Sequence, residues 1–102
     1  MSINIGGYTF EGPYTDINKL HNRSGVYVIL CYRDNKHELI DVGESGDVKD
    51  RVKNHDRKDC WKRNCSGILK FSVFSAPDLK PAGRKEIEQA IRKQFNPPCG
   101  NR

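Results

Sequence analysis

Residues 25–55, GVYVILCYRDNKHELIDVGESGDVKDRVKNH, carry the reading that decides the fold of this chain. Val26 to Tyr32 is almost continuously apolar, and its β-branched and aromatic content predicts a strand buried on both faces. Arg33-Asp34-Asn35-Lys36 is a polar turn, and residues 38–43 return as a second strand. The resulting hairpin sets Tyr27 and Asp41 near each other at one end of a sheet. Gly43 to Gly46 is a flexible connection, with Asp47 as a natural N-cap and Asp50 three residues on. The helix that follows, from Val48 to about Asp56, buries Val48 and Val52. Arg51 and His55, four residues apart and so roughly 40° apart on one face, flank that stripe. A cation and an imidazole displayed beside an aromatic hydroxyl suit phosphate chemistry.

The rest of the chain builds around this core. Residues 3–10 alternate loosely between glycines and predict an edge strand or hairpin ahead of the main sheet, with Gly12-Pro13 as its end. Tyr14 to Arg23 reads as a turn with one short helix beginning at Thr15 or Asp16. Residues 68–74 predict a third strand, with Leu69, Phe71 and Val73 on its core face. A last helix begins at Gly83 or Arg84, and Ile87, Ala90, Ile91 and Phe95 form its packing stripe. Glu88 lies at the edge of that stripe, where it can reach inward, and Asn96-Pro97-Pro98 ends the helix. The expected fold is therefore α+β: a small, mainly antiparallel sheet of three or four strands flanked by helices. It forms one domain over 1–102, with 1–23 as an N-terminal extension and 24–102 as the core.

Composition narrows the function. The chain of 102 residues carries a net charge of +5. Residues 46–64 hold seven basic against four acidic side chains, and 24–45 are net acidic. Lys49, Lys53, Arg57, Lys58, Lys62 and Arg63 thus form a basic region with Trp61 among them, a pattern suited to backbone contact on nucleic acid. A lone tryptophan is more often a core anchor, and that is the favoured reading of Trp61. No run approaches the ~18 apolar residues of a membrane span, and the N-terminus lacks a signal-peptide pattern, so the expectation is a soluble, cytoplasmic chain without a membrane partner. Cys31, Cys60, Cys65 and Cys99 are expected to be reduced structural thiols. Cys60 and Cys65, with His55 nearby, also admit zinc, although structural zinc sites more often use two tight pairs.

From Gly25 to the C-terminal end the chain resembles the GIY-YIG nuclease family. The first motif stands as Gly25-Val26-Tyr27 and the second as Asp41-Val42-Gly43, with Gly25 and Gly43 as the motif glycines. Arg51 matches the family arginine, His55 the position four residues later, and Glu88 the downstream helical glutamate ahead of a proline-containing tail. Asp41 replaces the second tyrosine, and Glu44 stands where the excision-repair branch often has lysine. The position matching the family's late asparagine is Gly100, with Asn101 beside it.

The resemblance implies a metal-dependent DNA endonuclease that hydrolyses phosphodiester bonds. Glu88 would hold one divalent ion, Mg²⁺ or Mn²⁺. Arg51 would stabilise charge on the phosphate, and Tyr27, assisted by His55, would position or deprotonate the attacking water. Asp41 and Glu44 add negative charge beside the phosphate. At ~5 Å and an effective dielectric of about 20, one carboxylate repels a phosphate charge by ~3 kcal/mol. Asp41 is accordingly expected to serve as a second metal ligand or as the base. The alternative is a nucleic-acid-binding or partner-regulated module on the same fold with weak or no cleavage. Either way DNA is the expected partner, with target choice supplied by DNA structure or by another protein.

Overall fold

The computed structural model describes residues 1–100, so the expectation for Asn101 lies outside the described residues. Its architecture is α+β. Five strands, β1 (Ser2–Ile5), β2 (Tyr8–Tyr14), β3 (Gly25–Arg33), β4 (Lys36–Ser45) and β5 (Ile68–Ser75), form one antiparallel sheet in the order β1-β2-β5-β3-β4. Three helices, α1 (Val48–Lys53), α2 (Lys58–Arg63) and α3 (Pro81–Phe95), pack on it, and a 3₁₀ turn at Ile17–Lys19 precedes β3.

β3 lies between β5 and β4, and its alternation serves two layers. Tyr27, Ile29 and Cys31 pack with Val48, Val52 and Trp61 of α1 and α2, whereas Val26, Val28 and Leu30 pack with Ile87 and Ile91 of α3. That is why the run reads as continuously apolar. Asp34 and Asn35 take positive φ and make the tight β3–β4 turn, a conformation that short polar side chains tolerate.

The sheet is larger than the three or four strands expected. Residues 1–23 do not stand apart as an extension: Gly6 and Gly7, both at positive φ, turn β1 onto β2, and β2 runs through Gly12-Pro13 to pair with β5. The helix expected from Val48 to about Asp56 is shorter than that. α1 stops at Lys53, so His55 lies beyond it and folds inward, and α2 from Lys58 is a separate helix that the sequence reading did not place. Asp47 precedes α1 without making a side-chain capping bond.

α3 starts at Pro81, which tolerates the first helical position because it has no N–H to satisfy. Its buried face also departs from expectation. Ala90 and Phe95 are exposed, and the covered positions are Arg84, Ile87, Ile91 and Arg92. Hydrophobicity alone misplaces the stripe because both arginines meet carboxylates on β4.

The cysteines are paired rather than reduced. Cys31–Cys65 ties β3 to the segment after α2, and Cys60–Cys99 ties α2 to the C-terminal tail. The partners lie 34 and 39 residues apart in sequence, so spacing gave no sign of them. All four sulfurs being engaged, zinc ligation by Cys60 and Cys65 is excluded. The tail then runs along β4, where the Cys99 N–H donates to the Ile40 carbonyl and the Arg92 guanidinium donates to the Val42 carbonyl. Both acceptors are backbone groups of an edge strand, so tail and arginine together cover an edge that would otherwise invite pairing.

Candidate active site

Tyr27 and Gly43 face each other directly across the β3–β4 ladder. The tyrosine ring lies over the glycine: a Cβ built at Gly43 would collide with Tyr27 Oη and Cζ and would stand 2.8 Å from Cε2. The motif glycine is thus the space the Tyr27 ring occupies. Tyr27 Oη meets His55 Nε2 at 2.7 Å, because the break between α1 and α2 lets His55 turn into the core against Trp61.

The hydrogen bonds of His55 define its tautomer. The Arg57 backbone N–H, which can only donate, reaches His55 Nδ1 at 3.0 Å. The neutral ring therefore carries its proton on Nε2 and donates it to Tyr27 Oη. Burial, reinforced by Arg51 and Arg57, lowers the His55 pKa from 6.5 to about 4, so the ring is neutral at physiological pH. Burial and then the Asp41 charge push Tyr27 up to about 12, against the opposing pull of Arg57 and Arg51. Tyr27 keeps its own proton at neutral pH.

This neutral imidazole links stability to acid. Its folded-state pKa lies below the unfolded value, so its contribution is present above pH 6.5 and is lost as pH falls through about 4. Allowing for solvent screening, the loss is about 1–2 kcal/mol. Urea midpoints measured between pH 7 and 4 should fall over that window, and His55→Gln should flatten the slope; equal slopes in both proteins would refute the assignment.

Asp41 is fully buried and saturated. Its Oδ2 accepts from Arg57 Nε and Trp61 Nε1, each at 2.8 Å. Its Oδ1 accepts from Arg92 Nη2 at 2.9 Å, the Val42 N–H at 2.8 Å and Arg57 Nη2 at 3.3 Å. A carboxylate has about four lone-pair directions, so five donors leave none for a metal or an attacking water. The expectation of Asp41 as second ligand or base is corrected on that ground. A bulge makes the arrangement possible. Asp41 pairs with Ile29 while Leu39 pairs with Leu30, so Ile40 is the extra residue, and Ile40 and Asp41 both serve the Trp61 side.

Glu44 is answered in the same way, by Arg84 Nε at 2.9 Å. The row Arg84, Glu88, Arg92 on α3 therefore faces Glu44 and Asp41 on β4, and the two acidic departures from the family pattern are neutralised within the fold. Glu88 sits between the two arginines without a hydrogen bond among the described residues. Its nearest cation is Arg92 Nε at 3.8 Å, itself a buried donor that no group among the described residues accepts. Burial raises the Glu88 pKa, and Glu44 and Asp41 add to the rise while Arg92 and Arg57 oppose it.

Arg51 is partly exposed and pairs with Asp56 at 3.1 Å, and Asp56 Oδ1 also lies 3.3 Å from His55 Nδ1. Tyr27 and His55 are in direct contact, while Asp41, Arg57, Arg51 and Glu88 act on Tyr27 through their charge. Of the expected nucleic-acid contacts, Lys53, Lys62 and Arg63 are exposed and Lys49 and Lys58 half-buried, whereas Arg57 is turned inward onto Asp41. Trp61 is 1 % exposed and anchors the core. Sequence reasoning missed Arg92 and Arg84. Their signal was the i, i+8 spacing around Glu88 opposite two acids on one strand, which becomes visible only once β4 and α3 are known to pack.

Compared with protein-family models, curated proteins and solved structures, the chain matches none.

Proposed function

We propose that this domain is a metal-dependent DNA endonuclease of the GIY-YIG type. The observation that carries the reading is the Tyr27–His55 hydrogen bond seated on Gly43, with Arg51 and Glu88 in the same electrostatic neighbourhood. Glu88 suits a single Mg²⁺ or Mn²⁺. Its carboxylate makes no hydrogen bond among the described residues and is desolvated by burial, only partly offset by Arg92, so a cation would relieve it. Among the described residues no three His, Cys, Asp or Glu side chains converge as a cage. A one-carboxylate site matches an ion that keeps several waters and takes the rest of its shell from phosphate.

Such an ion supplies Lewis-acid stabilisation of the phosphate and of the leaving oxygen. The chain's own groups do the rest. Arg51 leaves Asp56 to meet the phosphate charge. His55 donates to Tyr27 Oη and fixes the phenol, which stays protonated and orients the attacking water; that water, its pKa lowered beside the ion, gives its proton to bulk solvent. Burial and then Asp41 hold Tyr27 in its protonated form, against the opposing pull of Arg57 and Arg51. Lys53, Lys62 and Arg63 give the DNA backbone a cationic surface without base discrimination, so target choice falls to DNA structure or a protein partner.

A second reading draws on a different observation. Tyr27 is 2 % and His55 5 % exposed, which favours a nucleic-acid-binding module whose tyrosine and histidine hold the fold together. Supercoiled-plasmid nicking with Mg²⁺ or Mn²⁺ separates the two. Nicking is expected, and Glu88→Ala or EDTA should abolish it, a loss of at least ~10²-fold. Salt-sensitive DNA binding without nicking would hand the case to the binding module.

No helix is long and apolar enough to cross a membrane. The cytoplasmic location expected from the sequence rested on the lack of an apolar span and of a signal-peptide pattern; the Cys31–Cys65 and Cys60–Cys99 disulfides favour an oxidising compartment instead.

A further inference from the structure

We infer that Asp41 is a positioning residue: it clamps the Arg57 side chain and thereby holds the Arg57 backbone N–H on His55 Nδ1, which forces the imidazole to donate to Tyr27. The inference rests on the endonuclease reading for its catalytic meaning, but its structural content stands apart from activity.

Two hydrogen-bond arrangements compete at His55. In the observed one, Arg57 N–H donates to Nδ1 and Nε2–H donates to Tyr27 Oη. In the other, Nδ1 would carry the proton and give it to Asp56 Oδ1, which lies 3.3 Å away, and Tyr27 O–H would donate to a bare Nε2. The two differ in the direction of the Tyr27 proton. The observed arrangement leaves it free for a substrate or water, whereas the alternative ties it to the ring. Arg57 decides between them, and Asp41 places Arg57 through two hydrogen bonds, 2.8 Å to Nε and 3.3 Å to Nη2. Residue 57 immediately precedes α2, so a clamp on its side chain also fixes the turn that carries its N–H.

Asp41 is itself immobile, because Trp61 of α2 and Arg92 of α3 hold its other lone pairs. Its charge is therefore not spare negative potential at a phosphate site. It is the counter-ion that lets a second arginine stand inside the site beside Arg51. The charged groups facing Tyr27 are Asp41 and Glu88 on one side of the balance and Arg57 and Arg51 on the other; those facing His55 are Arg51, Arg57, Asp41 and Asp56.

The test uses the full chain labelled with ¹⁵N-histidine and reads the side-chain nitrogens by long-range ¹H–¹⁵N correlation at neutral pH. Plasmid nicking with Mg²⁺ is measured in parallel. His55 in the natural protein should show a protonated Nε2 and a bare Nδ1. Asp41→Asn, and independently Arg57→Ala, should bring in the Nδ1–H form and lower nicking by ~10²-fold, the scale expected when a reacting group loses its orientation. Arg57→Ala leaves Asp41 bound to Trp61 and Arg92, so it decides the matter if Asp41→Asn fails to fold. A bare Nδ1 retained in the folded variants, or a protonated Nδ1 in the natural protein, overturns the inference. Should the natural protein show no nicking, the endonuclease reading falls, and the tautomer alone still decides whether Asp41 positions His55.

Discussion

Replacing Gly43 with alanine is expected to reduce nicking by ~10²-fold or more, because the methyl group must occupy the volume of the Tyr27 ring. Tyr27 has no room to retreat, since the same residue is packed among Ile29, Val48, Val52 and Trp61. The ring must tilt or the β3–β4 ladder must part, and either movement pulls Oη from the 2.7 Å hydrogen bond to His55. Overpacking of this kind typically costs about 1–3 kcal/mol, so the urea midpoint should fall as well. Gly46→Ala is the matched control. A Cβ there meets nothing closer than Arg84 Nη2 at 3.9 Å, and stability should stay within about 0.5 kcal/mol of the natural protein. Wild-type nicking by Gly43→Ala would show that the Tyr27–His55 pair is not the reacting centre.

The largest loss of stability should come from Arg92→Met. Methionine keeps much of the length and removes the charge, leaving Asp41 buried with Arg57 as its one remaining cation. It also strips the donor from two backbone carbonyls, Val42 on the edge strand and Cys99 in the tail at 2.8 Å. Breaking a buried ion pair from one side costs about 3–5 kcal/mol, a large share of the ~5–15 kcal/mol that natural domains possess. Chemical denaturation should show that drop, and adding Asp41→Asn to Arg92→Met should deepen it, because Arg57 then loses the carboxylate it pairs with. A change under about 1 kcal/mol in the single variant would mean that the tail and the Cys60–Cys99 disulfide hold this edge without the arginine.

Arg92 also shows how a sequence can be read correctly in outline and wrongly at its centre. The helix and the inward reach of Glu88 follow from spacing alone, and Ile87 and Ile91 of the expected stripe are buried, yet its other members, Ala90 and Phe95, face solvent. A hydrophobic stripe assumes that burial rejects charge. Arg84 and Arg92 are accepted because Glu44 and Asp41 lie opposite, and that is a property of two elements 40 and 51 residues apart. The same limit hid the true occupation of Asp41. On its own strand it reads as a surplus charge beside a phosphate site; inside the fold it receives donors from β4, the α1–α2 connection, α2 and α3.

What the sequence determined by itself is the local hardware. It specifies the β3–β4 hairpin through its apolar run and its Asp34-Asn35 turn, the apposition of Tyr27 and Asp41 near Gly43, and the amphipathic start of α1 with Val48, Arg51 and Val52. These depend on periods of two and of about 3.6 residues and on turn chemistry within a few positions. What only the tertiary structure decided is how distant groups satisfy one another: the Cys31–Cys65 and Cys60–Cys99 pairings, the place of β2 beside β5, the burial of two arginines, and the tautomer of His55. Charge, sulfur and hydrogen-bond partners act at 2–4 Å regardless of sequence separation. Their outcome is settled by which surfaces meet, and the surfaces meet only after the layers have packed.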